Sequence, residues 1–140
     1  MKVYNGEGMI LGRLAGYIAK DALLGEEIAV VNCDKFIISG KRVAVIAHQK
    51  IKHDRRGYPL KSAKLSRVPD RFVRRVIRGM LPWKSTRGKE AFHRVLCYIG
   101  VPIEFQGKPM VQLKAASATK FPTLHYITVG DVCKGLGGKR

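Results

Sequence analysis

Arg71, Arg74, Arg75 and Arg78 are spaced so that, at about 100° per residue, a helix gathers their guanidinium groups within an arc of roughly 100°. Phe72, Val73, Val76, Ile77 and Met80 fall on the opposite side, over roughly 140° by the same arithmetic. Such a helix buries one face and presents a purely cationic stripe on the other. A guanidinium group keeps its proton in proteins, so the stripe can bind anions but cannot transfer protons. Its planar fork of donors matches the oxygens of a phosphate. Arg71 to Lys89 holds seven basic residues and no acidic one. Like-charge pairs three or four apart cost about 0.2–0.5 kcal/mol each on an isolated helix. With nothing local to offset that repulsion, the counter-charge is expected from a polyanion.

The wider charge map points the same way. The 140 residues carry a formal charge of +17. Residues 41–94 hold seventeen Lys/Arg against three Asp/Glu, whereas residues 1–40 hold four against five. A basic footprint confined to the middle of a chain is the signature of a nucleic-acid-binding surface. From Arg55 to Arg94, arginine outnumbers lysine nine to four. The charge map thus nominates Arg55, Arg56, Lys61, Arg67, Arg71, Arg74, Arg75, Arg78 and Lys89 as contacts to a phosphate backbone. Trp83 and Tyr58, set among these charges, are each either a stacking platform for an unpaired base or a packing residue. Gly57, Gly79 and Gly88 either let a backbone approach closely or serve turns. The polar face of the arginine helix lacks Asn, Gln, Ser or Thr to read base edges. Phosphate-and-shape recognition of structured RNA fits it better than duplex DNA.

Other chemistries find little support. Gly6, Gly8 and Gly12 form a G-x-G-x-x-x-G at a strand-to-helix turn, and Asp34 ends the next strand. That imitates a dinucleotide-binding fingerprint, but Glu7 would place a negative charge in the phosphate loop. The glycines fit a tight turn and close packing, so no cofactor is expected. The ten carboxylates are scattered, Ser39 and Ser85 lack a nucleophile elbow, and no P-loop occurs. No catalytic residues and no small-molecule substrate are expected. Cys33, Cys97 and Cys133 are odd in number and far apart, and the four histidines make no ligand spacing. Reduced thiols and no metal follow. The longest run free of charged residues is ten, Phe121–Gly130, against roughly 20 for a spanning helix, and no membrane partner is expected.

The elements that must carry the stripe follow from hydrophobic pattern. Strands are expected at Lys2–Tyr4, Ile28–Cys33, Phe36–Ile38, Leu96–Ile99 and Tyr126–Thr128. Helices are expected over 10–24, closed by Gly25; from Ser39-Gly40 to about Asp54, with Val43, Ala44, Ile46 and Ala47 inward; from Pro69-Asp70 to Gly79; from Arg87, capped by Thr86, to about Arg94; and briefly at Val129–Lys134. Residues 55–68 read as an exposed loop. Alternating strands and helices predict an α/β domain around a mainly parallel sheet. The expectation is one domain over 1–140, with 103–140 as a C-terminal extension.

Several segments resemble the large-subunit ribosomal protein L-thirteen family, in its archaeal and eukaryotic branch. They are Ile10–Ala15, Val31–Asp34 with Ile38–Gly40, Arg94–Tyr98, and above all Arg78-Gly79-Met80-Leu81-Pro82 with Arg87-Gly88. The resemblance spans roughly residues 9–102. It implies a three-layer α/β/α domain with a four-stranded parallel sheet, no catalysis, and a place on large-subunit ribosomal RNA early in assembly. It further implies RNA contact at Arg78, Gly79, Lys84, Arg87 and Gly88. The family's basic residue before a V-Y pair has no counterpart in Leu96-Cys97-Tyr98, and that strand contributes no candidate. The expected partners are large-subunit ribosomal RNA and neighbouring large-subunit ribosomal proteins, in the cytoplasm and on the ribosome. Two competing readings are a DNA-packaging protein and a small nicotinamide-dependent oxidoreductase.

Overall fold

In a computed structural model that describes residues 1–55 and 65–138, four short strands form a parallel sheet in the order β4-β2-β1-β5. They are β1 (Lys2–Asn5), β2 (Ile28–Val31), β4 (Val95–Cys97) and β5 (Met110–Val111). The register pairs Lys2 with Ile28, Ile28 with Val95, and Val3 with Met110. Every residue of β2 is fully buried, as its unbroken apolar run requires of a strand covered on both faces. The pleat then divides its side chains. Ile28 and Val30 join the core under the helices, while Ala29 and Val31 pack with Val3 and Phe105 on the other face. A separate antiparallel pair, β3 (Ile37–Ser39) and β6 (Tyr126–Thr128), stands beside the sheet.

Five helices complete the described chain: α1 (Leu11–Leu23), α2 (Arg42–Asp54), α3 (Pro69–Gly79), α4 (Thr86–His93) and α5 (Val129–Gly135). The arrangement is the expected layered α/β/α type around a four-stranded parallel sheet. Leu14, Ile18 and Ala22 of α1 interlock with Val73 and Ile77 of α3 in one apolar core. Gly25 (φ +100°) follows the last turn of α1 in the left-handed conformation expected of a terminating glycine. Beyond residue 102, β5 extends the sheet and Ala116, Val129, Val132 and Cys133 are buried. The glycine-rich turn after β1 is closely packed. A side chain at Gly6 would lie 2.6 Å from the Phe36 ring, and Glu7 pairs with Lys35 at 2.7 Å.

Four expectations are corrected. Helix α2 starts at Arg42 rather than at Ser39-Gly40, because Ser39 extends β3 and Gly40 adopts φ +126°. Val43, Ala44 and Ala47 do not face inward. Val43 is 80% exposed and α2 buries no residue. Its main contacts are with α5 and β6, outside the sheet layers, and Ile46 sits over Gly135. The strand expected at Leu96–Ile99 is Val95–Cys97, and it lies at the sheet edge, which leaves Leu96 39% exposed. Ser85, not Thr86, caps α4: its Oγ accepts from the Gly88 N–H at 3.2 Å.

Candidate nucleic-acid interface

Pro69 sets the first turn of α3, and Asp70 places a carboxylate at its positive end. Val73 and Ile77 are fully buried, which anchors the helix and fixes its rotation. Arg71 is exposed, while Arg74, Arg75 and Arg78 are half-buried. These four arginines share an open cleft of about 200 Å³ between α3 and α4 with Ser66 and Phe92. Among the described residues, no carboxylate lines it.

Aromatic rings hold two of these arginines. The Arg74 guanidinium carbon lies 4.5 Å from the centroid of the Phe92 ring. Phe92 meets Trp83 edge-to-face at 5.0 Å and 86°. Trp83 in turn lies under Arg78, whose guanidinium carbon is 5.1 Å from its centroid. The result is an aromatic ladder of two rings in edge-to-face contact with a guanidinium group over each. Asp70 stands four residues before Arg74, the spacing of a helical ion pair. Among the described residues, however, none of Arg71, Arg74 and Arg78 pairs with a carboxylate. Buried Arg74 Nε has no hydrogen-bond partner there.

The connector from Met80 to Ser85 positions the rest. Leu81 is buried and pins it to the core, so Pro82, Trp83 and Lys84 turn outward. Ser85 closes the turn by donating from Oγ to the Pro82 carbonyl at 2.8 Å. Gly88 is buried against that carbonyl, and any side chain there would collide with it. Its lack of a side chain therefore has a packing reason. Gly79 is exposed, with open space where a side chain would project. Trp83 serves packing and solvent at once, being 38% exposed beneath Arg78.

The remaining candidates spread around this centre. Arg55 and Gly79 line a larger groove of about 490 Å³ between α2 and α3, whose floor includes Phe72 and Val76. Arg67 is exposed and donates from Nε to His53 Nε2 at 3.2 Å, placing it beside the end of α2. Arg87 lines an open cleft with Met80 and Lys20 on the α1 side of the connector. Lys84 and Lys89 are exposed. Arg56 and Lys61 lie outside the described residues, as do Gly57 and Tyr58. Sequence reasoning missed Phe92 and Ser66. Phe92 registers there only as an apolar residue in a short helix, because its meeting with Arg74 depends on how α3 packs beside α4.

Known proteins resemble this chain over most of its length. The family model for Ribosomal protein L13 matches residues 1–104. The Large ribosomal subunit protein uL13 of Methanococcoides burtonii is 38% identical over 139 residues, covering 99% of each chain. Its counterpart in Archaeoglobus fulgidus is 42% identical, over 96% of this chain and 86% of its own. That of Methanococcus maripaludis is 42% identical over 99% of both. With matches of this extent, the chain belongs to the Ribosomal protein L13 family, whose members are structural rather than catalytic.

Proposed function

We propose that this protein is a structural constituent of the large ribosomal subunit, that residues 1–140 act as one unit, and that it binds and organises large-subunit ribosomal RNA early in assembly. The arginine face of α3 carries the reading. Arg71, Arg74 and Arg78 converge on a cleft without a carboxylate and lack ion-pair partners among the described residues. The acidic residues of the first forty positions, by contrast, supply three ion pairs of their own: Lys2–Asp21, Lys2–Glu26 and Lys35–Glu7. Unpaired guanidinium groups held by aromatic rings lose little freedom when a phosphate backbone arrives. Neutralising phosphates releases counterions, which supplies affinity. The flanking candidates Arg55, Arg67, Lys84, Arg87 and Lys89 extend the contact so that separate RNA segments are held in register. Neighbouring large-subunit proteins complete the environment, in the cytoplasm and on the ribosome.

Filter binding of the purified chain to a large-subunit ribosomal RNA transcript at rising salt tests this. Affinity should fall steeply with salt, and equal-length duplex DNA should bind more weakly at the same salt. A flat titration, or no binding at the lowest salt, overturns the reading.

A further inference from the structure

We propose that the cleft between α3 and α4 is a socket for a single phosphate group, with Arg74 as its fixed donor. This rests on the RNA-binding reading, and it specifies what one part of the surface grips. Size sets the first bound. At about 200 Å³, the cleft lies below the roughly 300–1,000 Å³ of pockets that enclose whole small molecules. It admits a tetrahedral anion and its ester oxygens, not a nucleobase with its sugar.

Charge sets the second bound. Arg71, Arg74, Arg75 and Arg78 line the cleft together with Ser66 and Phe92, and no acid is among them. Several guanidinium forks along one helix face suit the three or four oxygens of a phosphate. A carboxylate offers two oxygens in one plane, which a single arginine satisfies.

The third observation is specific to Arg74. Its Nε is buried and without a partner among the described residues, while its guanidinium group rests on Phe92. A buried charged donor without an acceptor is unfavourable, so a small movement of the side chain that lets an anion reach it is favoured. Phe92 removes much of the side chain's freedom beforehand, so binding costs less order. Lysine could not replace this arginine, because an ammonium group neither stacks in the same way nor presents a fork.

Such a phosphate has two sources, the RNA backbone and free phosphate, and one experiment separates them. The intact protein, labelled with nitrogen-15, is titrated with inorganic phosphate while sodium chloride keeps ionic strength constant, and the arginine Nε–H resonances are followed. The Arg74 resonance should shift and saturate. Arg74→Lys and Phe92→Leu should each weaken the binding at least tenfold. Arg71→Gln, at an exposed position that leaves the fold intact, should weaken it severalfold. Arg13→Gln on α1 should change nothing. An Arg74 shift that never saturates, or that Arg13→Gln alters as strongly as Arg71→Gln does, overturns the socket. In a parallel arm the RNA transcript is bound at fixed ionic strength with and without phosphate. Competition assigns the socket to a backbone phosphate, and its absence, with saturation intact, assigns it to free phosphate. Retained RNA binding without phosphate saturation would sink the socket alone. Phosphate saturation without RNA binding would sink the RNA reading alone.

Discussion

The Arg74 guanidinium carbon lies over the Phe92 ring, 4.5 Å from its centroid, although Asp70 stands one turn away on the same helix. The arginine is thus held by a ring on α4 rather than by the acid on its own helix. A carboxylate partner would have cancelled its charge, whereas the ring fixes its position and leaves the charge available. The same logic repeats at Arg78 over Trp83.

Phe92→Leu therefore removes no charge but should still reduce RNA affinity severalfold. In stability it should cost about 1–2 kcal/mol, combining a lost cation–π contact with imperfect repacking of a half-buried site. Urea denaturation and filter binding on the same variant check both effects. An affinity equal to that of the unaltered protein would show that the ring does not position Arg74 for binding.

The salt dependence should register individual arginines. Each phosphate contact contributes about 0.7–0.9 to the slope of log affinity against log salt. Arg71→Ala and Arg78→Ala should each lower the slope by about that amount, with little change in folding because neither side chain lies in the apolar core. Arg67, which donates to His53 at 3.2 Å, should lower it less. Slopes from parallel titrations of the three variants decide the ranking, and an unchanged slope for Arg78→Ala removes that residue from the interface.

Much of this arrangement was legible in the sequence where one element sufficed to specify it. The nearly continuous apolar run Ile28–Cys33 read as a strand covered on both faces; its first four residues are the fully buried β2, and the strand stops at Val31 because Asn32 turns into the left-handed conformation. The arginine stripe followed from helical geometry alone, since Val73 and Ile77 lock the rotation of α3. Readings failed where the partner element decided the outcome. Val43 and Ala47 share one side of α2, as inward residues would, but α2 lies against α5 and β6 rather than the sheet, and both are exposed. Phe92 became visible only once α3 and α4 were packed. β5 is two residues long, too short for any alternation to show. Gly88 illustrates the mixed case: the motif drew attention to it, while its contact with the Pro82 carbonyl supplied a reason the motif did not contain.

The three thiols should differ in reactivity. Cys33 and Cys133 are buried, whereas Cys97 is half-buried at the sheet edge. The Cys97 thiol, through a hydrogen bond, and burial both push the Cys33 thiol well up. Burial pushes Cys133 up to about 11. Iodoacetamide should modify the half-buried Cys97 in the native protein, and the two buried thiols only after unfolding. Peptide mass spectrometry reads the pattern; native modification of Cys133 would contradict the packing of α5.

Acid stability should depend on Asp21. Its Oδ2 accepts from the Tyr4 hydroxyl at 2.6 Å and from Lys2 Nζ at 3.1 Å. The tyrosine hydrogen bond above all, helped by Lys2, holds the Asp21 carboxyl below its ordinary value. A carboxyl more acidic in the folded state stabilises the fold fully above its unfolded pKa of about 3.9, and that contribution is lost as pH falls through the folded value. Burial, with the bond to Asp21, pushes the Tyr4 phenol up, so its contribution is present below about pH 10 and lost at higher pH. Tyr4→Phe should cost about 1 kcal/mol near pH 7, with the difference shrinking below about pH 4. Denaturation midpoints across pH measure it, and a constant difference down to pH 2 would refute the linkage.

Gly79 and Gly88 bracket the connector, and opposite surroundings let one pair of variants separate packing from contact. A methyl group at Gly79 meets nothing within 4 Å, whereas at Gly88 it collides with the Pro82 carbonyl that also receives the Ser85 hydroxyl. Gly79→Ala closes a helix without a clash and should hold stability constant or raise it by up to about 1 kcal/mol. Gly88→Ala must push α4 away from Pro82 and should cost about 1–3 kcal/mol or more. That displacement also moves Phe92, four residues further along α4, and with it the support of Arg74. Both variants should bind RNA less well, for different reasons: Gly79→Ala by keeping a backbone from approaching, Gly88→Ala by disordering the aromatic ladder. Adding Ser85→Ala to Gly88→Ala should then cost little more, because the two act on one turn and their effects are not additive. Thermal melts beside RNA titrations provide the comparison. A Gly79→Ala protein that is stable and binds normally would leave Gly79 without a role at the interface, and the socket, whose lining does not include Gly79, would be untouched by that result.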